Sequence, residues 1–393
     1  MRHLKIRFKK YNDVWKNVNL TETAPIVMGQ SPDSKNYTDN PNDYILVQGN
    51  ADMQNGRVVP RVWTTQITKL AEKGDLILSV RAPVGDIGKT DYNVVLGRGV
   101  AAIKGNEFIF QLLSRMKQFN YWSKLSTGST FESINSSDIK STEIYLPSQD
   151  EQSAIGFLFR NLDDLLASYK DNLANYQSLK ATMLSKMFPK AGQTVPEIRL
   201  DGFEGEWEKG TIGEFGSFYY GKSAPKWSVT DEATTPCVRY GELYTKFSTK
   251  IDKIYSYTSI PKENLKLSSG NEVLVPRVGE DPLDFANCSW LSLKGVAIGE
   301  MISVYNTPNN PLFIAYYFNA KMKKEFAKRV EGGSVANLYY TYLENISISV
   351  PSLPEQQAIG AYFSNLDNLI SSHQEKISQL EILKKKLLQD MFI

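Results

Sequence analysis

Two stretches of this chain carry a regular spacing of apolar side chains. In the first, steps of four and three alternate through Ile155, Phe159, Leu162, Leu166, Tyr169, Leu173, Tyr176, Lys180, Met183 and Met187. In the second they run through Ile359, Phe363, Leu366, Ile370, His373, Ile377, Leu380, Lys384, Leu387 and Met391. A 3.5-residue period held this long predicts a coiled coil. The lysines on the seam either fix its register or lie along it with their charge turned outward. Each stretch opens with Ser-x-x-Glu, Ser148 to Glu151 and Ser352 to Glu355, which predicts a capping box. Pro147 and Pro351 stand just before, where they interrupt nothing. At 1.5 Å per residue, a helix of ~38 residues is about 57 Å long.

The two stretches are copies. Ile144–Phe188 aligns without a gap on Ile348–Phe392, sharing Pro-Ser, Glu-Gln, Ala-Ile-Gly, Asn-Leu-Asp and the terminal Met-Phe. A weaker echo precedes each copy: Ile6-Arg7 matches Ile198-Arg199, and Trp15, Glu22, Gly29, Ser31 and Gly49 match Trp207, Glu214, Gly221, Ser223 and Gly241. The chain is therefore a duplicated half. It divides into a variable domain at 1–146, a long helix at 147–189, a second variable domain at 190–350 and a second helix at 351–393. This order favours an antiparallel helix pair within the chain, with the two domains related by a pseudo-twofold axis.

The variable regions read as mixed α/β. Strands are expected at Tyr44–Val47, Asp75–Val80, Glu272–Val275 and Ile346–Val350, and helices over Phe108–Leu125 and Leu312–Lys328. The fold class is α+β: two mixed α/β domains separated by two long helices.

Composition sets the class of molecule. The 393 residues are 41% hydrophobic and 22% charged, enough apolar content for real cores. No run of 18 apolar residues occurs and the basic N-terminus lacks an apolar segment, so a cytoplasmic protein is expected. Cys237 and Cys288 are expected to be buried thiols, and with only His3 and His373 besides, a structural zinc site is not expected. Residues 1–143 carry a net charge of +5 and residues 189–353 of −1, so charge alone speaks weakly for nucleic acid in one half and not in the other.

No catalytic motif is evident in the sequence. Asn40-Pro41-Asn42 and Asn310-Pro311-Leu312 lack the aromatic that an adenine methyltransferase loop needs. Gly85–Thr90 ends like a phosphate-binding loop, but Pro83 stands where its first glycine belongs, so a turn between two strands is expected. No metal cluster or nucleophile–base pair is evident, and the isolated chain is expected to be non-catalytic.

The repeated Pro-Ser-x-x-Glu-Gln-x-Ala-Ile-Gly, the following Asn-Leu-Asp and the Val195–Trp207 opening resemble the specificity subunits of type I restriction-modification systems. The Gly-Ser-Thr turn at 128–130 and the Gly-Gly-Ser turn at 332–334 fit the same likeness, which covers the whole chain. The resemblance implies that each variable region is a target-recognition domain reading one half of a bipartite, asymmetric sequence in double-stranded DNA. It implies that the helices set the gap between the halves and dock two methyltransferase subunits. Those subunits would bring S-adenosylmethionine, and two restriction subunits would use ATP and Mg, with no cofactor in this chain.

Major-groove base edges are read by side chains such as Arg, Lys, Asn and Gln. The candidate DNA contacts in the first half are Lys35, Gln48, Asn50, Arg61, Arg81, Arg98, Ser129 and Thr130. In the second half they are Lys222, Lys226, Arg239, Tyr240, Arg277 and Ser334. The other reading is a non-catalytic scaffold presenting two protein-binding domains on a coiled coil.

Overall fold

The computed structural model describes residues 4–126, 132–222 and 224–392. The fold is α+β. The two long helices span Gln149–Lys186 and Leu353–Asp390. The contacts divide the chain into two compact units, Met1–Lys170 with Glu375–Ile393, and Asp171–Gln374. Each unit thus holds one variable region, part of the helix that leaves it and part of the other long helix.

The first unit contains two main sheets. One runs Ile26–Met28, Val100–Ile103, Leu76–Ser79, Ile87–Lys89, Arg57–Val58, Met53–Gln54. The other runs Tyr37–Thr38, Trp63–Thr64, Tyr44–Val47, Val94–Leu96, Leu70–Ala71. The second unit repeats the plan. Its larger sheet runs Ser217–Tyr220, Ile302–Asn306, Glu272–Pro276, Ser289–Leu291, Lys250–Ile251, and its partner runs Ser256–Thr258, Thr235–Val238, Lys294–Ile298, Leu267–Ser269. The parallel contacts recur too. Tyr44–Val47 lies parallel to Val94–Leu96 as Thr235–Val238 lies parallel to Lys294–Ile298. In both units an antiparallel pair joins the entering chain to the strand before the long helix, Lys16–Asn19 with Glu143–Leu146 and Glu208–Thr211 with Ser347–Val350. The central strands Leu76–Ser79 and Glu272–Pro276 are buried along their length, as expected for strands covered on both faces.

Two sequence expectations need correction. The helix expected over Phe108–Leu125 is two helices, Glu107–Gln118 and Tyr121–Leu125. Asn120 takes a left-handed backbone (φ 56°), which an Asn tolerates and which ends the helical ladder. Likewise Leu312–Lys328 is Pro311–Lys321 followed by Lys323–Ala327. The phosphate-loop look-alike is a turn: Gly85 has φ 85° and Gly88-Lys89 lie in a strand antiparallel to Leu76–Leu78.

Within each unit the long-helix segments pack antiparallel. In the first, Lys170 pairs with Glu381 and Asp163 with Lys384, so rising numbers on one helix meet falling numbers on the other. In the second, Tyr176 meets His373 (ring centroids 5.1 Å) and Lys180 meets Asp367. Ile155, Phe159, Leu162 and Leu166 are buried, as are Ile359, Phe363 and Leu366, while Ile370 is half-buried. The end of the second long helix enters the first unit's core, where Phe392 packs on Trp15, Phe108 and Phe159. Phe188 plays the same part in the second unit, against Trp207, Phe313 and Phe363. Each such fully buried ring contributes about 1.5–3 kcal/mol. The repeated Met-Phe ends are therefore core residues that tie a returning helix to its domain.

Candidate nucleic-acid interface

The repeated motif around each long helix's first turns accounts for itself as a frame. Glu151 is buried, and Arg7 grips it with both arms of its guanidinium (2.7 and 2.8 Å) while Trp15 donates its indole N–H at 3.2 Å. Arg199 grips the buried Glu355 in the same way (2.8 and 2.7 Å). The expected capping box is thereby corrected: these carboxylates are turned to the segment that precedes the entering strand, since a buried charge requires a charged partner more than a helix end requires a cap. The neighbouring glutamines bond the proline carbonyls, Gln152 to Pro147 and Gln356 to Pro351. Gly156 lets the start of a second helix approach, because a Cβ there would lie 2.8 Å from that of Glu107. A Cβ at Gly360 would meet Asn310 Oδ1 at 3.3 Å, a tight contact rather than a collision, and Asn106 and Asn310 cap those two helices in like fashion. The Asp of each Asn-Leu-Asp holds the seam lysine and a second donor, Asp163 with Gln111 and Asp367 with Tyr316.

On this frame the two units carry different surfaces. In the first, Gly29 and Gln30 donate to Val100 and Leu96 (3.0 and 2.9 Å); in the second, Gly221 and Lys222 donate to Ile302 and Ile298 (3.0 and 2.8 Å). A Cβ at either glycine would collide with the facing carbonyl, of Gly97 or of Gly299, which explains the echoed glycines. The turn they hold carries exposed Arg98 in one unit and exposed Glu300 in the other. Next to it, Val80 and Arg277 occupy one position: Val80 N–H donates to Gly99 and Arg277 N–H to Met301 (2.9 and 3.2 Å). Val80 is buried, whereas the Arg277 guanidinium lies over the rings of Tyr220 (4.5 Å) and Tyr339 (5.4 Å). Burial raises the Tyr220 phenol above its ordinary range against the pull of the Arg277 charge, so it is neutral at pH 7.

The other candidates fall into groups. Lys35 is exposed and paired with Asp33 (3.3 Å). Arg61 bonds the Ala51 carbonyl (2.8 Å) and lies 3.6 Å from Asp52, which also accepts the Gln48 N–H and caps the short turn that begins at Asn50. Gln48 abuts Gly97 and Gly99, so the structure brings Gln48, Asn50, Arg61 and the Arg98 turn into one neighbourhood. Arg81 is exposed on an isolated bridge to Ser133. Lys222 and Lys226 are exposed, Arg239 and Tyr240 open the short helix Tyr240–Thr245, and Ser334 is exposed in the hairpin between Glu331–Gly332 and Ala336–Asn337. Ser129 and Thr130 lie outside the described residues. Sequence reasoning missed Glu300 and the tyrosines around Arg277; the Arg7–Glu151 and Arg199–Glu355 clamps had a signal in the echo of Ile-Arg before each domain.

Cys237 and Cys288 are free and buried, and burial pushes the Cys237 thiol up to about 11 and that of Cys288 well above its usual range. Among the described residues no group of His, Cys, Asp and Glu is arranged to hold a metal, and no helix is long and apolar enough to cross a membrane.

The type I restriction modification DNA specificity domain matches residues 12–175 and 204–382. A subunit named for the type I restriction enzyme MjaX of Methanocaldococcus jannaschii is 36% identical over 148 residues, covering 36% of this chain but only 34% of that relative. The MjaIX specificity subunit of the same organism is 22% identical over 333 residues, 81% of this chain and 77% of its own. Among solved structures, a type I restriction-modification S subunit from Mycoplasma genitalium superposes over 100% of this chain and 99% of its own with a TM-score of 0.66 at 16% identity, a likeness of fold. The matched segments take in both strand frameworks and most of both long helices, and on that ground the chain belongs to the type I restriction modification DNA specificity domain family.

Proposed function

We propose that this chain is the DNA-specificity subunit of a type I restriction-modification complex. Each variable domain reads one half of a bipartite, asymmetric target in double-stranded DNA. The long helices set the spacer and dock two methyltransferase subunits, which bring S-adenosylmethionine; two restriction subunits bring ATP and Mg. The chain itself binds and positions without catalysing, and works in the cytoplasm.

One observation carries this reading: the family match falls on both halves, and these halves hold one strand plan under different side chains, Arg98 against Glu300 and Val80 against Arg277. An asymmetric target needs two reading surfaces that differ in their base-contacting groups while the backbone-positioning parts stay alike.

The test is a gel shift and a methyl-transfer assay with the chain alone and with its methyltransferase subunit. The complex should shift and methylate a duplex carrying both half-sites and leave one with either half scrambled. The chain alone, given S-adenosylmethionine, should transfer nothing. Methyl transfer by the chain alone, or a complex indifferent to scrambling, contradicts the proposal.

A further inference from the structure

Arg277 stands apart from the other candidate cations of the second unit. It follows the central strand Glu272–Pro276 and precedes Val278–Gly279, so its backbone is held on both sides: its N–H donates to Met301 and its carbonyl accepts from Leu338. Its guanidinium is flanked by Tyr220 and Tyr339. Those rings belong to a larger aromatic cluster. Tyr220 packs on Tyr340 (4.6 Å), Tyr340 stacks on Phe218 (5.5 Å, 6° between planes) and Tyr339 meets Tyr342 edge-on (5.9 Å). Among the described residues no carboxylate pairs with Arg277 and no acceptor takes up its buried Nε.

That arrangement is costly for a side chain with no ligand. A guanidinium set among rings gains cation–π attraction, but its N–H donors ask for oxygen or nitrogen acceptors. Packing against two rings also restricts the side chain and removes rotamer freedom that an exposed arginine would lose on binding. A planar acceptor pair is the ligand that such a fork matches. On DNA the base edge offering two acceptors side by side is that of guanine, O6 and N7. The corresponding position of the first unit is the buried Val80, so this reader belongs to one half-site only.

We infer that Arg277 is a specificity-determining residue of the second domain, its guanidinium, set against Tyr220 and Tyr339, reading one guanine of the second half-site. The inference rests on the proposed reading of the chain as a DNA-specificity subunit. A phosphate could present similar oxygens, and the experiment separates the two.

The complex of this chain with its methyltransferase subunit is assayed on a library of duplexes varied at every position of both half-sites, for wild type, Arg277→Lys and Arg277→Ala. Wild type should demand a guanine at one position of the second half-site, and both variants should relax that one position by on the order of 10- to 100-fold. The first half-site serves as the folding control and should keep its full preference. Lys keeps the charge without the fork, so its failure to restore discrimination supports a bidentate reader. The inference is overturned if Arg277→Ala weakens all sequences equally and Lys restores them, as for a phosphate contact, or if both variants keep the wild-type motif. Loss of the first half-site's preference along with the second would make Arg277 a folding residue and also overturns it. A wild-type complex showing no bipartite preference defeats the underlying reading, whatever the variants do.

Discussion

Lys384 on the second long helix holds Asp163 on the first, and the same pair recurs one repeat away as Lys180 with Asp367. Both lysines sit on seams that are otherwise mostly apolar, and both pairs are mostly shielded from water, with side-chain exposures of 22–31%. The lysines therefore fix register. Sliding one helix by a heptad would set Lys384 opposite Gly156 or Lys170 in place of Asp163, and Lys180 opposite Gly360 or Gln374 in place of Asp367, and would strand each carboxylate partner.

The first prediction concerns these pairs. Lys384→Ala should lower stability by about 1 kcal/mol, the upper range for a pair still partly reached by solvent. Exchanging the partners, Lys384→Asp with Asp163→Lys, should recover at least half of that loss, because charge and spacing survive. Chemical denaturation of the single and exchanged variants decides it. An exchange no better than the single variant would show that the pair does not act as a unit.

The two copies make an unequal pair of tryptophans. Trp15 donates to Glu151, whereas the buried Nε1 of Trp207 has no partner among the described residues. Trp15→Phe removes a hydrogen bond to a buried charge and should cost about 1.5–3 kcal/mol beyond the lost ring area. Trp207→Phe loses area but also removes an unsatisfied donor, so its cost should be smaller by about 1 kcal/mol or more. Equal midpoint shifts for the two variants would contradict this account.

Acid stability should report on Glu107. Burial pushes its carboxyl up, but hydrogen bonds from Lys89 and Gln111 and the nearby charge of Arg160 outweigh that and hold it below the usual range. A depressed folded-state value means that its stabilisation is complete above the ordinary carboxylate pKa of about 4.3 and is lost as pH falls through the lower folded value. Lys89→Met removes the main counterweight to burial. The variant should be less stable at pH 7 and lose less further stability between about pH 5 and 3. A parallel pH profile for wild type and variant would show that Glu107 is not held in this way.

Neither thiol should react in the folded chain. Cys237 and Cys288 are buried, and burial raises both thiols, so little thiolate exists at pH 8 and none is accessible. A colourimetric thiol reagent should count no cysteine in the native chain and two after denaturation. Rapid reaction of either in the native state would refute the packing around the Thr235–Val238 strand or around Cys288, whose backbone N–H and carbonyl are both bonded by Asn319.

What could be read from the sequence depended on the range of the interaction. The long helices and their seam were legible because a 3.5-residue period is local, and the antiparallel order followed from connectivity. The repeated Glu-Gln and Ala-Ile-Gly were visible as motifs but not as mechanisms. Glu151 meets Arg7 across more than a hundred residues, and nearby serines invited a capping reading instead. The break at Asn120 depends on one left-handed residue inside an otherwise helical pattern. For the interface, composition singled out Arg277 as one cation among many. Its distinction comes from Tyr220 and Tyr339, which lie far from it in the chain and are brought there only by the sheet and the strand that follows Glu331–Gly332.

The most direct test of the account is a domain exchange. Residues 15–143 are replaced by the corresponding region of another family member that recognises a different known target, and the methylated motif is mapped across a genome in cells supplying the methyltransferase subunit. Because each domain enters and leaves through repeated sequence and has its own core, the account predicts a motif in which one half is new and the other is unchanged. A motif changed in both halves, or in neither, would contradict it.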